Sequence, residues 1–414
     1  MRVLAVEPFY GGSHQAFLDG WIRESRHSWD ALTLPARHWK WRMRHAGVTL
    51  AGRALEAWQS GLRWDVLICS DMLDLPQFLG LVGSPVVGLP SIVYFHENQL
   101  TYPQRRTAER DLHFAFTNFA TALAANQVWF NSAYHRDDFL TALVPWLARM
   151  PDFAPLAQVQ DIRAKSLVQS PGIAANPDTK LRSPGPLRVA WAARWEHDKA
   201  PATFFEAIQI LRKSGVRFRL SLFGESFTQK PSVFNHVYED LLVHIDHWGF
   251  VESHKAFLKK MSQADIFVST AVHEFFGLAA MEAISLGLRP ILPQRLAYPE
   301  LLGLKLNQES NQDTRPSATH PEQDRLGSGG SGGKKEKKDT RGSGGEAQEE
   351  DIPSLEGFFY DGSAEGLASR LAQLAERPDE VLSDRERAYL QAVAKRYAWK
   401  RRAAEMDEAL EQVV

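Results

Sequence analysis

Short apolar runs alternate with longer amphipathic stretches along most of this 414-residue chain. In the first half, the runs at 2–6 (RVLAV), 65–70 (DVLICS), 91–97 (SIVYFHE), 127–132 (QVWFNS) and 165–173 (KSLVQSPGI) predict strands. Several are apolar at nearly every position, as a parallel strand covered on both faces must be. Between them, stretches such as 107–125 repeat apolar residues at three- and four-residue steps and predict helices. The segment 176–186 (NPDTKLRSPGP) breaks the pattern with two prolines, a glycine and polar residues. Strand-like runs then restart at 187–194, 217–224, 264–270, 288–293 and 357–362. The prediction is an α/β protein of two doubly wound, Rossmann-like halves, 1–180 and 187–375, with helices over 376–414. In such folds ligands collect where strand carboxyl ends meet helix starts, and two facing domains enclose a cleft.

Residues 307–350 differ in kind. The stretch GSGGSGGKKEKKDTRGSGG has almost no apolar content and no period, which predicts a solvent-exposed, disordered insertion, natural or artificial. Its lysines are balanced by acidic residues, so a solvated segment is preferred to a nucleic-acid tail.

Composition narrows the setting. Hydrophobic residues make up 44% and charged residues 24%, the make-up of a soluble globular protein, and no apolar run reaches bilayer-spanning length. The stretch MRVLAVEPFYGG reads as a first strand rather than a signal peptide. The single cysteine, Cys69, excludes an internal disulfide; it lies in a buried-strand pattern and is expected to pack in the core of a cytoplasmic protein. Net charge is −2, so a nucleic-acid partner must be met by a local basic patch. The densest such patch is RHWKWRMRH (37–45), with Arg37, Lys40, Arg42 and Arg44 set among Trp39 and Trp41. Two readings of it stay open: a phosphate grip, or an amphipathic segment with its tryptophans buried.

The strongest chemical pattern is HEFFGLAAMEAISLG (273–287), directly after the strand ADIFVST. Glu274 falls in the turn and Glu282 on the following helix, so that both carboxylates can face one ligand. Paired carboxylates suit hydroxyl-rich ligands, because each accepts two or more charge-assisted O–H hydrogen bonds. The helix start near Gly277 offers unpaired N–H groups to a phosphate. In ARWEHDK (193–199), Arg194 and Lys199 bracket a loop at a strand's carboxyl end, where together they can neutralise a diphosphate. In FYGGSH (9–14), Gly11 and Gly12 allow close backbone approach, and Ser13 is expected to cap the next helix. His96 ends a strand and is a candidate hydrogen-bonding or acid/base group. One cysteine cannot build a thiolate metal site, there is no nucleophile elbow, and DMLD (71–74) has the wrong spacing for a metal-binding carboxylate pair.

These residues carry a resemblance. The Glu-x7-Glu of HEFFGLAAMEA, with ADIFVSTA before it and the Arg-x4-Lys of ARWEHDK, resembles the donor domain of retaining GT-B glycosyltransferases of the family 4 class. YAWKRRAAEM resembles that class's C-terminal helix. EPFYGGSH, LTLPARHWKWRMR, VYFHENQLTYP and VHEFFG together resemble the tRNA-queuosine α-mannosyltransferase family over nearly the whole chain.

The resemblance implies a retaining, metal-independent transfer of mannose from GDP-mannose to the cyclopentenediol of queuosine in a tRNA anticodon loop, with no cofactor beyond the donor. It implies that Glu274 holds the sugar hydroxyls and Glu282 the donor ribose, while Arg194 and Lys199 bind the diphosphate. It places His96 and Gly12 at the sugar and acceptor side, Gly249, Phe250 and Val251 beside the nucleobase, and Phe276, Gly277 and Leu278 against the donor. A tRNA substrate gives the basic stretch a use: Arg37, Lys40, Trp41, Arg42 and Arg44, extended by Arg105 and Arg106, become the expected RNA contacts. Two alternatives stand beside it. One is a GT-B enzyme with another nucleotide sugar and a lipid or small-molecule acceptor. The other is a non-catalytic RNA-binding protein, which is expected to lose the carboxylates or the Arg/Lys pair that this chain keeps.

Overall fold

Two six-stranded parallel sheets carry the two halves of the chain in the computed structural model, which describes residues 1–103, 112–174, 184–225, 231–304 and 353–414. The first half runs β1 (Arg2–Tyr10), α1 (Gly12–Glu24), β2 (Ser28–Pro35), α2 (Trp39–Gln59), β3 (Val66–Ser70), α3 (Leu75–Val82) and α4 (Ser84–Val87). It continues with β4 (Ser91–Phe95), α5 (Leu112–Ala124), β5 (Gln127–Phe130), α6 (Ala133–Leu147), α7 (Gln158–Ala164) and β6 (Ser166–Val168). The second half runs β7 (Leu187–Ala192), α8 (Pro201–Lys213), β8 (Phe218–Phe223), α9 (Val233–Leu241), β9 (Ile245–Gly249), α10 (His254–Met261) and β10 (Ile266–Val268). It ends with α11 (Leu278–Ser285), β11 (Arg289–Pro293), α12 (Tyr298–Leu301), β12 (Phe359–Tyr360), α13 (Ala364–Glu376), α14 (Asp384–Arg396) and α15 (Trp399–Glu411).

The strand orders are β2-β1-β3-β4-β5-β6 and β12-β11-β10-β7-β8-β9. Both put the first strand of each half inside the sheet and reverse direction beside it, the arrangement that opens a ligand crevice at the carboxyl edge. The central strands β3 and β4 are buried at every position, because helices cover both faces. Cys69 packs among them, as expected of an inert core thiol.

The sequence reading needs four corrections. It omitted β2 and β9, edge strands with a single neighbour each, whose mixed patterns SWDALTLP and IDHWG tolerate polar residues because only part of each is covered. It took 165–173 for one strand, whereas β6 stops at Val168. Beyond Pro171 and Gly172, Ile173 forms an isolated bridge with Ala398; its N–H donates to Tyr397 O (2.7 Å), and Trp399 N–H donates to Ile173 O (3.1 Å). It also expected Ser13 to cap α1, but Gly11 is the N-cap and Ser13 lies within the first turn. Residues 107–111 of the predicted helix 107–125 and the whole 307–350 insertion fall outside the described residues.

The two last helices divide between the domains. α14, opened by a Ser383–Glu386 capping box, packs on α11, and Glu386 pairs with the buried Arg289 at 2.9 Å. α15 crosses back onto α1. There Trp399 fills a slot between Gly20 and Gly172, where a Cβ on either glycine would come within 2.1 or 2.2 Å of the indole. The buried Asp407 carboxylate accepts hydrogen bonds from Trp21 Nε1, Ser25 Oγ and the Arg26 backbone N–H, each 2.8 Å.

The domains also meet at the start of α6. Ser132 Oγ donates to Phe275 O (2.5 Å), and the His135 ring stacks on Phe275 at 3.7 Å. The Glu300 carboxylate accepts the Ala133 and Tyr134 N–H groups at 2.8 and 3.0 Å, an anion set on a helix N-terminus. These contacts hold the carboxyl edges of the two sheets face to face.

Candidate active site

On the second domain, the loop after β7 and the loop after β10 are stapled together. Val272 and His273 N–H donate to Asp198 O, Thr270 Oγ1 donates to Lys199 O, and Trp191 Nε1 donates to Thr270 Oγ1. Lys199 is thereby buried with fixed neighbours: its Nζ donates to His273 O (2.8 Å) and Glu274 Oε2 (3.2 Å) and lies 3.0 Å from Asp198 Oδ2. Burial works against the ammonium, yet Glu274 and Asp198 outweigh it and raise the Lys199 pKa. Burial likewise pushes Glu274 up, and Lys199 more than reverses that, so Glu274 titrates below its ordinary value. Both groups are therefore charged at neutral pH.

Gly277 caps α11 at φ 84°, and a Cβ there would meet the Tyr298 ring at 2.7 Å, so the turn demands glycine twice over. Lys199, Glu274, Gly277, Thr270 and Tyr298 line one crevice beside the α11 N-terminus. Three of the residues expected at the donor are thus brought together there. A cavity of about 360 Å³ lies at the amino ends of β7 and β10 beside Arg188 and Asp265, on the edge of the sheet opposite the cleft.

Glu282 is not in that crevice. Its buried carboxylate lies 2.7 Å from His254 Nε2 on α10, which ties Glu282 to the loop after β9. That loop is where Gly249 (φ 109°), the exposed Phe250 and the half-buried Val251 sit, so these four residues share one rim. Glu274 thus stands in the turn before α11 and Glu282 on the helix itself, at two separate positions. Phe276 is corrected in one respect: its ring is buried in the core against Tyr397, and only its backbone faces the turn. Leu278 is half-buried as the first residue of α11.

The Arg194 guanidinium faces the first domain. Its Nη2 donates to Tyr102 Oη (3.2 Å) and lies 3.4 Å from Glu196 Oε2, which the Tyr102 hydroxyl also reaches at 3.4 Å. Tyr102, from the loop after β4, thus bridges the cleft, and its ring meets His273 edge-on at 5.0 Å. Sequence reasoning missed this residue, although it lies in the HENQLTYP motif.

On the first domain, Gly12 (φ 55°) opens α1 with free space around it. His96 stacks on His14, with ring centroids 3.9 Å apart and planes at 32°. His14 is buried, with Nδ1 3.2 Å from Glu7 Oε2, and Glu7 Oε1 accepts the Phe9 N–H (2.8 Å) and the Ser70 hydroxyl (3.0 Å). Glu7, His14 and His96 each offer a potential ligand atom, all within 4.8 Å of one another. His14 Nδ1 is already engaged by the Glu7 carboxylate, so an ion shared by the three would have to displace that contact. Glu7 and His14 were legible only as the flanks of EPFYGGSH.

The basic stretch is the start of a helix. α2 begins at Trp39, after His38 in the left-handed region. Arg37, Lys40, Trp41 and Arg44 are exposed, Trp41 at 60%. Trp39 instead joins Met43, Met72 and Phe114 in a small cluster at the sheet's carboxyl edge. Residues two apart on a helix point to opposite sides, which separates the two tryptophans. Arg42 is held inward: its Nε donates to Pro35 O (3.0 Å) and its Nη1 to His45 Nε2 (2.8 Å). Arg105 and Arg106 lie outside the described residues.

Residues 2–173 match the family model described as tRNA-queuosine alpha-mannosyltransferase N-terminal, and residues 175–308 match Glycosyl transferases group 1. The tRNA-queuosine alpha-mannosyltransferase of Drosophila melanogaster is 34% identical over 317 residues, covering 72% of this chain and 81% of that one. This chain belongs to the tRNA-queuosine alpha-mannosyltransferase family. A Mycobacterium tuberculosis GDP-mannose-dependent alpha-(1-6)-phosphatidylinositol dimannoside mannosyltransferase is 25% identical over 297 residues, 69% of this chain and 71% of its own. Among solved structures, sucrose-phosphate synthase from Thermosynechococcus elongatus superposes with a TM-score of 0.63 at 14% identity, over 100% of this chain and 99% of that one. Anabaena HepE in complex with UDP gives 0.60 at 13% identity over 100% of both chains. The family and its neighbours agree with the two facing sheets: this is a glycosyltransferase of the GT-B fold.

Proposed function

We propose that this enzyme transfers mannose from GDP-mannose to the cyclopentenediol of queuosine in a tRNA anticodon loop. The observation that carries the donor half of this reading is the Lys199–Glu274 pair beside the α11 N-terminus, facing Arg194. The family match over residues 2–173 supports the acceptor half.

Charge governs the chemistry. As the sugar–phosphate bond breaks, the sugar becomes oxocarbenium-like and the departing diphosphate gains charge, and both need partners already in position. Lys199 and Arg194 are held by acceptors that a diphosphate can replace: Asp198 for one, Glu196 and Tyr102 for the other. The N–H groups opening α11 add to them, so the chain itself provides the positive charge the leaving group requires. Glu274, ionised and fixed by Lys199, accepts sugar hydroxyls, and Glu282 takes the ribose once His254 yields it. We read the transfer as retaining and independent of a metal. The acceptor domain presents Arg37, Lys40, Trp41 and Arg44 on the same carboxyl edge as Gly12 and His96. Among the described residues no helix is long and apolar enough to cross a membrane, which accords with a cytoplasmic enzyme acting on tRNA.

The test is incubation with queuosine-containing tRNA and a panel of nucleotide sugars, followed by nucleoside mass spectrometry. A hexose added to queuosine from GDP-mannose alone is the expected result. Transfer from another donor, or none to tRNA lacking nothing but the sugar, overturns the assignment.

A further inference from the structure

Glu7, His14 and His96 form a buried column beneath the cleft that substrate binding alone does not explain. A carboxylate accepts and never donates, so the Glu7–His14 contact places a hydrogen on His14 Nδ1. Glu7 is itself immobilised, since the Phe9 N–H and the Ser70 hydroxyl both donate to its other oxygen. The His14 ring therefore has one orientation, and it packs over His96 at 3.9 Å with the planes tilted by 32°. His96 is clamped as well. Its N–H donates to Asp71 Oδ1 (2.8 Å), its carbonyl accepts from Asn131 Nδ2 (2.9 Å), and Phe17 and Tyr94 pack on its ring at 5.1 and 4.7 Å. Among the described residues the His96 ring nitrogens have no hydrogen-bond partner, which leaves them to a ligand hydroxyl in the cleft.

We propose that His14 is a positioning residue for sugar transfer: a buried imidazolium, anchored by Glu7, whose stacked ring keeps His96 neutral and correctly oriented. Two cationic rings cannot stack at this distance without strong repulsion, so only one of the pair carries the second proton, and Glu7 decides which. Burial opposes charge on His14, but Glu7 lifts its pKa to about 9; Asp71 adds to this only where it is ionised, since burial raises its own carboxyl to about 8. Burial, then His14 and His135, push His96 well below the ordinary histidine range. The groups facing His96 are thus His14 and Phe17 from α1, Asp71 after β3, Tyr94 from β4 and His135 from α6. A neutral imidazole both accepts and donates a hydrogen bond, as a sugar or acceptor hydroxyl requires; an imidazolium only donates.

The role in transfer rests on the function proposed above, so the test has an arm that needs no substrate. Nitrogen-15 imidazole spectra of the full chain, assigned with H14Q and H96Q, are expected to show His14 cationic and His96 neutral at pH 7. In H14Q the repulsion is gone, and His96 is expected to titrate at higher pH, toward the ordinary histidine value. The acid limb of kcat/KM then moves up by the same amount while KM for GDP-mannose stays within about twofold. E7Q, which keeps the stacked rings but removes the anion, is the second variant; His14 loses its charge, and the limb moves in the same direction. A neutral His14 at pH 7, an unmoved His96 titration in both variants, or a divalent metal bound one to one and lost in H14Q overturns the proposal. Absence of mannose transfer with normal spectra fails the substrate assignment instead.

Discussion

Lys199 has no water-like freedom: two carboxylates and a carbonyl surround an ammonium that is nearly out of solvent. Removing one partner of such a pair leaves the other buried and uncompensated, which costs more than the pair itself contributes. Lys199→Met is therefore expected to lower stability by about 2 kcal/mol at pH 7 and abolish donor binding. Adding Glu274→Gln restores part of the stability, and a strictly additive double-mutant cycle refutes the coupling. The pH dependence follows from the directions of the two shifts. Glu274 is depressed, so its contribution is present above the ordinary glutamate value and lost as pH falls through its lower folded value. Lys199 is raised, so its contribution is full below its ordinary value and lost only as pH rises through its higher folded one. The contribution of this pair to donor affinity is accordingly flat from about pH 5 to 10, and a change within that window points to His254, whose pKa the Glu282 hydrogen bond raises. At this scale Glu274, Lys199 and Gly277 were legible because each type has few reasons to follow a strand end. Tyr102, Glu196 and His254 were not, because each acts through a partner at least 28 positions away or across the cleft.

At the scale of elements, α2 sorts the side chains of the basic stretch between core and solvent. Helical geometry turns Trp39 into the small core cluster and Trp41 outward, and it divides the cations by task. Arg37, Lys40 and Arg44 face solvent, whereas Arg42 braces the helix start against Pro35 and His45. Replacing Arg37, Lys40 and Arg44 by alanine is expected to weaken tRNA binding. The slope of log K against log salt should shrink by about 2 in a filter-binding series, at roughly 0.7 for each contact with single-stranded RNA. Arg42→Ala should leave that slope alone and lower thermal stability. Equal slopes for the triple variant and the wild type return the segment to a structural role. Buried central strands were visible in the sequence because both faces are covered; β2 was not, because an edge strand need satisfy only one neighbour. The 165–173 run was apolar enough for a strand, yet its end pairs with Ala398, a partner no local pattern reveals.

For the whole molecule, the two-sheet architecture was legible because the alternation stops at 176–186 and restarts. The return of the last helix to the first domain was visible only through the resemblance. Its anchor is Asp407, which gathers three donors from α1 and the turn after it. Asp407→Ala leaves those donors buried without an acceptor and is expected to cost about 3 kcal/mol in urea unfolding of the full chain. A loss under about 0.5 kcal/mol, the level of ordinary surface changes, contradicts this accounting. The same strap bears on how the protein is made. Domains commonly fold in the order of their synthesis, but here Trp21 waits for a partner 386 positions later. The slot between Gly20 and Gly172 stays open until Trp399 has been translated. The first domain is begun first and completed last, so a nascent or prematurely ended chain carries an exposed apolar groove until the last helix arrives.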